Sequence, residues 1–83
     1  MVYGSMAKSK QVPIVEVLRK RAEITQEGLA KALGITDHTY RNWVKGRSEP
    51  TMTVKQMKLL CSLLNCRLED LPDDFSETEA VDQ

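Results

Sequence analysis

One stretch of the sequence carries side chains that can pair with nucleic-acid bases. Residues 34–43, GITDHTYRNW, hold the only histidine and the only tryptophan of the chain. On a helix, His38, Arg41, Asn42 and Lys45 form one stripe, because they follow the spacing i, i+3, i+4 and i+7. Arginine donates a planar fork to guanine, asparagine pairs with adenine, and histidine can donate to a base or a phosphate. The stripe favours nucleic-acid recognition, and an ordinary solvated helix face is the alternative interpretation.

The two aromatic residues of this stretch lie on the opposite side of the same helix. Tyr40 and Trp43 are three residues apart, so both point the same way. We interpret them as core residues that anchor the helix, and stacking on bases is the alternative. We expect the hydroxyl of Tyr40 to reach the surface.

Charge is distributed unevenly along the 83 residues. Residues 1–55 contain ten Lys and Arg and five Asp and Glu, a net charge of +5, whereas residues 56–83 carry two and seven, a net charge of −5. Residues 1–55 could therefore face an anion, although the net charge of the whole chain is zero. Without a long apolar run or a secretory signal, we expect a cytoplasmic protein that does not span a membrane.

Helix start and stop signals recur along the chain. Thr25 and Thr36 are N-cap candidates, Gly34 between them suits a helix end, and Thr53 begins a capping box with Gln56. No strand pattern or repeat is visible. The prediction is an all-α fold, a compact bundle of five short helices over residues 13–21, 25–33, 36–45, 53–65 and 67–71.

The fourth helix has two kinds of apolar position. Its inner stripe is predicted to be Val54, Met57, Leu60, Cys61 and Leu64. Off this stripe, Leu59 and Leu63, with Leu68 beside them in the fifth helix, are candidates for contacts between two copies of the chain. Partial burial inside one copy is the alternative.

The longer segment TQEGLAKALGITDHTYRNWVKGRSEP resembles the helix-turn-helix of the Cro and phage-repressor class, the Xre family. The resemblance covers residues 12–71 and implies the lambda-repressor-like DNA-binding fold, with the helix over residues 36–45 in the major groove. It rests on Thr25, Gln26, Glu27, Leu29, Ala30, Leu33, Gly34, Ile35, Thr36, Tyr40, Trp43, Gly46 and Pro50.

The resemblance also implies roles for individual residues. Base-reading positions are Asp37, His38, Arg41 and Asn42. Phosphate-contacting positions are Gln26, Thr39, Lys45, Arg47 and Ser48. Asp37 stays open, because its carboxylate could accept from cytosine, pair with Arg41, or stabilise the helix start.

The predicted organisation has three parts: a flexible arm over residues 1–11 that could include an expression scar, the DNA-binding domain over residues 12–71, and an acidic, disordered tail over residues 72–83. The predicted function is sequence-specific binding of double-stranded DNA by a transcriptional regulator, expected to be a repressor, that acts as a homodimer on a near-palindromic operator. The sequence does not distinguish repression from activation. The alternative is an antitoxin-like module that binds a protein partner through Asp73, Asp74, Phe75, Glu77, Glu79 and Asp82.

Catalytic and metal chemistry find no support in the sequence. His38 lacks a plausible catalytic partner, and Cys61 and Cys66 lack further ligands at metal-binding spacing. We therefore predict no enzyme activity, no metal and no cofactor, and interpret both cysteines as small apolar side chains of the core.

Overall fold

The described part of the chain contains four α-helices, one 3-10 helix and a two-stranded sheet. A computed structural model describes residues 10–81. The elements in chain order are β1 (Lys10–Pro13), α1 (Ile14–Arg21), α2 (Gln26–Leu33), α3 (Asp37–Val44), α4 (Val54–Leu64), the 3-10 helix (Leu68–Asp70) and β2 (Thr78–Val81). No helix in this part of the chain is long and apolar enough to cross a membrane.

The helix ends follow from local chemistry. Thr25, Thr36 and Thr53 are the N-caps of α2, α3 and α4, and each side chain accepts a hydrogen bond from the backbone N–H three residues later. Gly34 and Asn65 end α2 and α4 in the left-handed conformation, with φ of 77° and 52°. The predictions for the three threonines and for Gly34 are confirmed, and each N-cap contributes about 1 kcal/mol.

The core is built from all four helices and from one residue beyond them. Short helices are marginal alone, so packing of these side chains supplies most of their stability. The buried apolar residues are Val15, Leu29, Ala30, Leu33, Tyr40, Trp43, Leu60, Leu64 and Phe75.

The expected fifth helix over residues 67–71 is only one 3-10 turn, Leu68–Asp70. The N–H of Leu71 donates to the carbonyl of Leu68, three residues back, at 3.1 Å. Leu71 itself is extended because Pro72 follows it. The prediction of five helices was therefore wrong in its last member.

The all-α prediction was also wrong, because the two ends of the described chain form an antiparallel sheet. Lys10 pairs with Val81 and Pro13 with Thr78. Phe75, expected in a disordered tail, is only 3% exposed. The acidic composition of the tail predicted disorder. The prediction failed because β1, far away in the sequence, supplies backbone hydrogen-bond partners for β2. Of the expected flexible arm, residues 1–9 lie outside the described residues and residues 10–11 belong to β1.

Candidate nucleic-acid interface

Two helices, α2 and α3, are joined by the shortest connection between helices in the described chain. Gly34 ends α2 and Thr36 caps α3, so Ile35 alone separates the two signals. Ile35 is half-buried against the core and holds the turn in place. The connection sets the position of α3 relative to α2.

The α3 helix has one face in the core and one in solvent. Tyr40 is 0% exposed and Trp43 is 4% exposed. On the other face, the side chains of Asp37 and Arg41 are 42% and 45% exposed. Within the polar stripe, His38, Arg41 and Lys45 are exposed and Asn42 is half-buried, so a ligand as large as a nucleic acid can reach the stripe.

Neighbouring residues of this stripe are paired. Nη1 of Arg41 donates to Oδ2 of Asp37 at 2.9 Å, which is one of the three roles considered for Asp37. Nδ2 of Asn42 lies 3.3 Å from Nε2 of His38, where the neutral imidazole nitrogen can accept. An exposed i, i+4 ion pair contributes only about 0.3–0.5 kcal/mol, so Arg41 can leave Asp37 for a stronger acceptor at little cost.

The residues expected at phosphates lie at three places. Lys45, Arg47 and Ser48 are exposed around the turn that follows α3, where Gly46 has a φ of 76°. Thr39 is half-buried in the first turn of α3, where its hydroxyl accepts from the hydroxyl of Thr36 at 3.0 Å. Gln26 begins α2 and is turned towards α1.

Gln26 belongs to a buried polar cluster that sequence reasoning missed. The cluster consists of Glu16, Arg19, Gln26 and Tyr40. Arg19 donates to both carboxylate oxygens of Glu16, at 2.7 and 2.9 Å, Tyr40 donates its hydroxyl proton at 2.7 Å, and Gln26 donates at 3.0 Å. The cluster joins α1, α2 and α3, so it fixes the orientation of α3.

Two sequence interpretations change because of this cluster. The hydroxyl of Tyr40, expected at the surface, is buried on Glu16. Arg19, grouped in the sequence with Lys20 and Arg21 at a helix end, is 9% exposed and also donates to the carbonyl of Ile24 at 2.6 Å. The i, i+3 spacing of Glu16 and Arg19 beside the apolar Val15 was the available signal.

Protonation states in the cluster follow from its geometry. Burial would raise the pKa of Glu16, but hydrogen bonds from Arg19, Tyr40 and Gln26, with the Arg19 charge, hold that pKa below its usual 4.5. Burial and the hydrogen bond to Glu16 raise the pKa of Tyr40. Glu16 is therefore an anion at neutral pH while Tyr40 remains a donor. Among the described residues, no buried side-chain nitrogen or oxygen lacks a hydrogen-bond partner.

The cysteines and the other titratable residues form no further site within residues 10–81. Cys61 and Cys66 are free and half-buried. Burial raises the pKa of the Cys66 thiol. In the same span, no three His, Cys, Asp or Glu side chains are grouped so that they could hold a metal ion.

Comparison with known proteins gives one match. A protein-family model described as helix-turn-helix matches residues 15–71, well over half of the chain. The matched segment runs from α1 to the 3-10 helix and excludes both strands and Phe75. No curated protein and no solved structure matches.

Proposed function

The chain belongs to the Cro/C1-type helix-turn-helix family of DNA-binding transcription regulators, and we propose that it is a sequence-specific repressor that places α3 in the major groove. The observation that carries this proposal is the exposed face of α3, which presents Arg41 and Asn42 next to each other on a helix anchored from behind. Occupation of a promoter is then sufficient to block transcription, and no catalysis is required.

Base recognition follows from the chemistry of that face. The guanidinium of Arg41 matches guanine O6 and N7, and the amide of Asn42 matches adenine N6 and N7. His38 lies one turn before Asn42 and can contact a base or a phosphate. Asp37 lies one turn before Arg41, and besides its pair with Arg41 it could accept from cytosine N4.

Phosphate contacts would fix the pose of the domain on the duplex. We assign them to Gln26, Thr39, Lys45, Arg47 and Ser48. Lys45, Arg47 and Ser48 extend outward beyond the C-terminal end of α3. Gln26 has a second task, because its amide also holds Glu16.

Lys45→Ala should weaken binding to all DNA sequences by a similar factor, because a phosphate contact carries no base information. The slope of log K against log salt should fall by about one unit. Binding titrations at several salt concentrations measure both quantities. Lys20→Ala removes the same charge from the end of α1 and serves as the control. Selective loss on one sequence would contradict a phosphate role for Lys45.

A homodimer fits this function, because one such domain contacts too few base pairs to be selective. The surface we assign to it shares only Leu68 with the three predicted leucines. Leu63 is half-buried against the core, Leu59 is 38% exposed and Leu68 is 60% exposed. Val54 and Cys61, expected in the core, instead line an apolar groove with Met57, Lys58 and Leu68.

Charges of both signs lie beside the apolar residues of this groove. Lys58 lines the groove, and Glu69, next to Leu68 in the chain, is exposed on the 3-10 helix. A two-fold arrangement that pairs Lys58 of one copy with Glu69 of the other would satisfy both charges. We therefore place the dimer contact at Val54, Cys61 and Leu68.

Leu68→Glu should shift the protein towards the monomer, because it puts a charge into the apolar contact. Sedimentation equilibrium over a concentration series measures the dimer dissociation constant, which should rise by about tenfold or more. Ala32→Glu, which adds the same charge on the exposed side of α2, is the matched control. An unchanged constant for Leu68→Glu would place the dimer contact elsewhere.

The proposed function is tested by enrichment of duplexes from a randomised pool of about 25 base pairs at roughly physiological salt. Enrichment of a two-fold symmetric site supports specific binding by a dimer, and an unsymmetric motif supports a monomer. The variant with Arg41→Ala and Asn42→Ala should lose the enrichment. A pool that stays random with the original protein contradicts the proposal.

The alternative function, binding of a protein partner through the tail, included Phe75 as a contact residue. Phe75 is buried in its own chain. The carboxylates of Asp73, Asp74, Glu77 and Glu79 remain exposed, and Asp82 lies outside the described residues. Exposed carboxylates alone are also what a solubilising segment presents, so the tail supplies no observation that favours a second function.

A further inference from the structure

The segment after the 3-10 helix packs against the back of α3. Phe75 is 3% exposed, and its ring meets Tyr40 and Trp43 edge-on, with centroid distances of 6.3 and 5.9 Å. These are the two residues that anchor α3 to the core. Phe75 therefore completes the packing on the side of α3 opposite to Arg41 and Asn42.

The same segment also lies against the end of α3. A side chain on Gly46 would place its Cβ 3.1 Å from Oγ of Ser76 and 3.2 Å from Cβ of Ser76. Gly46 also has a φ of 76°, which other residues rarely adopt. The close approach and the backbone conformation both favour glycine where Ser76 meets the turn that carries Lys45 and Arg47.

Hydrogen bonds hold the segment in this position. Oδ1 of Asp74 accepts from the backbone N–H and the hydroxyl of Ser76, at 2.9 and 2.8 Å. The carbonyl of Glu77 accepts from the N–H of Ile14 at 2.8 Å, which connects the segment to the start of α1. Beyond Glu77, β2 pairs with β1. The segment is thus attached to α1 and cannot move away from α3 without breaking the sheet.

We propose that residues 73–81, which lie outside the matched helix-turn-helix segment, form a clamp that sets the position of α3 for base recognition, with Phe75 as the positioning residue. This inference rests on the proposed function. Phe75 touches no DNA in this arrangement; it acts through Tyr40 and Trp43. The functional unit for DNA recognition therefore extends through β2 rather than ending at residue 71.

The test is a graded series at one position: Phe75→Leu, Phe75→Val and Phe75→Ala. Binding is measured below the unfolding transition of each variant, on the enriched duplex and on a scrambled duplex of equal length. The ratio of the two affinities should fall stepwise as the side chain shrinks, to about one fifth or less for the smallest folded variant, the loss expected from one misplaced base contact. Phe75→Leu should retain most of the ratio, and binding to the scrambled duplex should change little.

A constant ratio across the folded variants would overturn the clamp, because a merely structural Phe75 changes stability alone. Phe75→Val keeps the test decisive if Phe75→Ala does not fold.

Two readouts need no DNA. The emission of Trp43, the only tryptophan, should shift to the red, and amide hydrogen exchange should accelerate in α3 more than in α4. If the original protein enriches no duplex, the proposed function fails, while equal exchange in α3 and α4 would reject the clamp itself.

Discussion

Glu16→Ala should lower the free energy of unfolding by about 3–5 kcal/mol, because it leaves the buried guanidinium of Arg19 without its counter-ion. The same change removes the acceptor for Tyr40 and for Gln26. A domain of this size has about 5–15 kcal/mol in total, so the loss is a large fraction of its stability. Chemical denaturation followed by the fluorescence of Trp43 measures it.

Two control variants separate the charge from the packing. Tyr40→Phe removes one of several donors to Glu16 and should cost only about 1 kcal/mol. The double variant with Glu16→Leu and Arg19→Met replaces the pair with apolar side chains and should be far more stable than Glu16→Ala. If Glu16→Ala costs less than Tyr40→Phe, the cluster is not a major source of stability.

The dependence of stability on pH provides a second test of the role of Glu16. Because its pKa is lower in the folded protein than the usual 4.5, its contribution is complete above that value and is lost as the pH falls through the folded-state pKa. Stability of the original protein should therefore decline more steeply below pH 4.5 than that of Glu16→Gln. Parallel acid profiles of the two proteins would show that Glu16 titrates as it does in the unfolded chain.

Arg41→Ala should weaken binding to the enriched duplex by about 1–3 kcal/mol, a factor of about 5 to 150, and relax the preference at one base pair. The reason is that arginine contacts two acceptors of one guanine, and alanine contacts neither. Titration of the duplex and of its single-base variants gives the energy at each position. For the original protein, changing the base pair at one position of the duplex should weaken binding strongly. For Arg41→Ala, changing that base pair should alter binding little.

Asp37→Ala is the matched control, since it removes the partner of Arg41 but leaves the guanidinium in place. If Asp37 only pairs with Arg41, its removal should leave affinity unchanged or raise it, because a carboxylate near phosphates is repelled. If Asp37 accepts a hydrogen bond from cytosine, its removal should relax the base preference at a second base pair. If Arg41→Ala weakened binding to every DNA sequence equally, Arg41 would contact a phosphate and not a base.

Features that depend on near neighbours in the chain follow from the order of the residues. Thr25, Thr36 and Thr53 cap helices because a hydroxyl reaches an N–H three residues away, and Gly34 ends a helix because it accepts positive φ. The two faces of α3 follow from a 3.6-residue period. The polar stripe of the proposed interface was therefore visible in the order of the residues alone.

Features that join distant parts of the chain became visible in the folded structure and not before. Lys10 faces Val81 across the sheet, and Phe75 lies on Trp43, contacts that no local period encodes. The hydroxyl of Tyr40 reaches Glu16, 24 positions earlier, because the fold brings the two side chains together in the core. Burial makes such contacts strong, since an unpaired polar group away from water is costly. Local chemistry thus specified the helices and the face of α3, and the packing of distant segments fixed where that face is held.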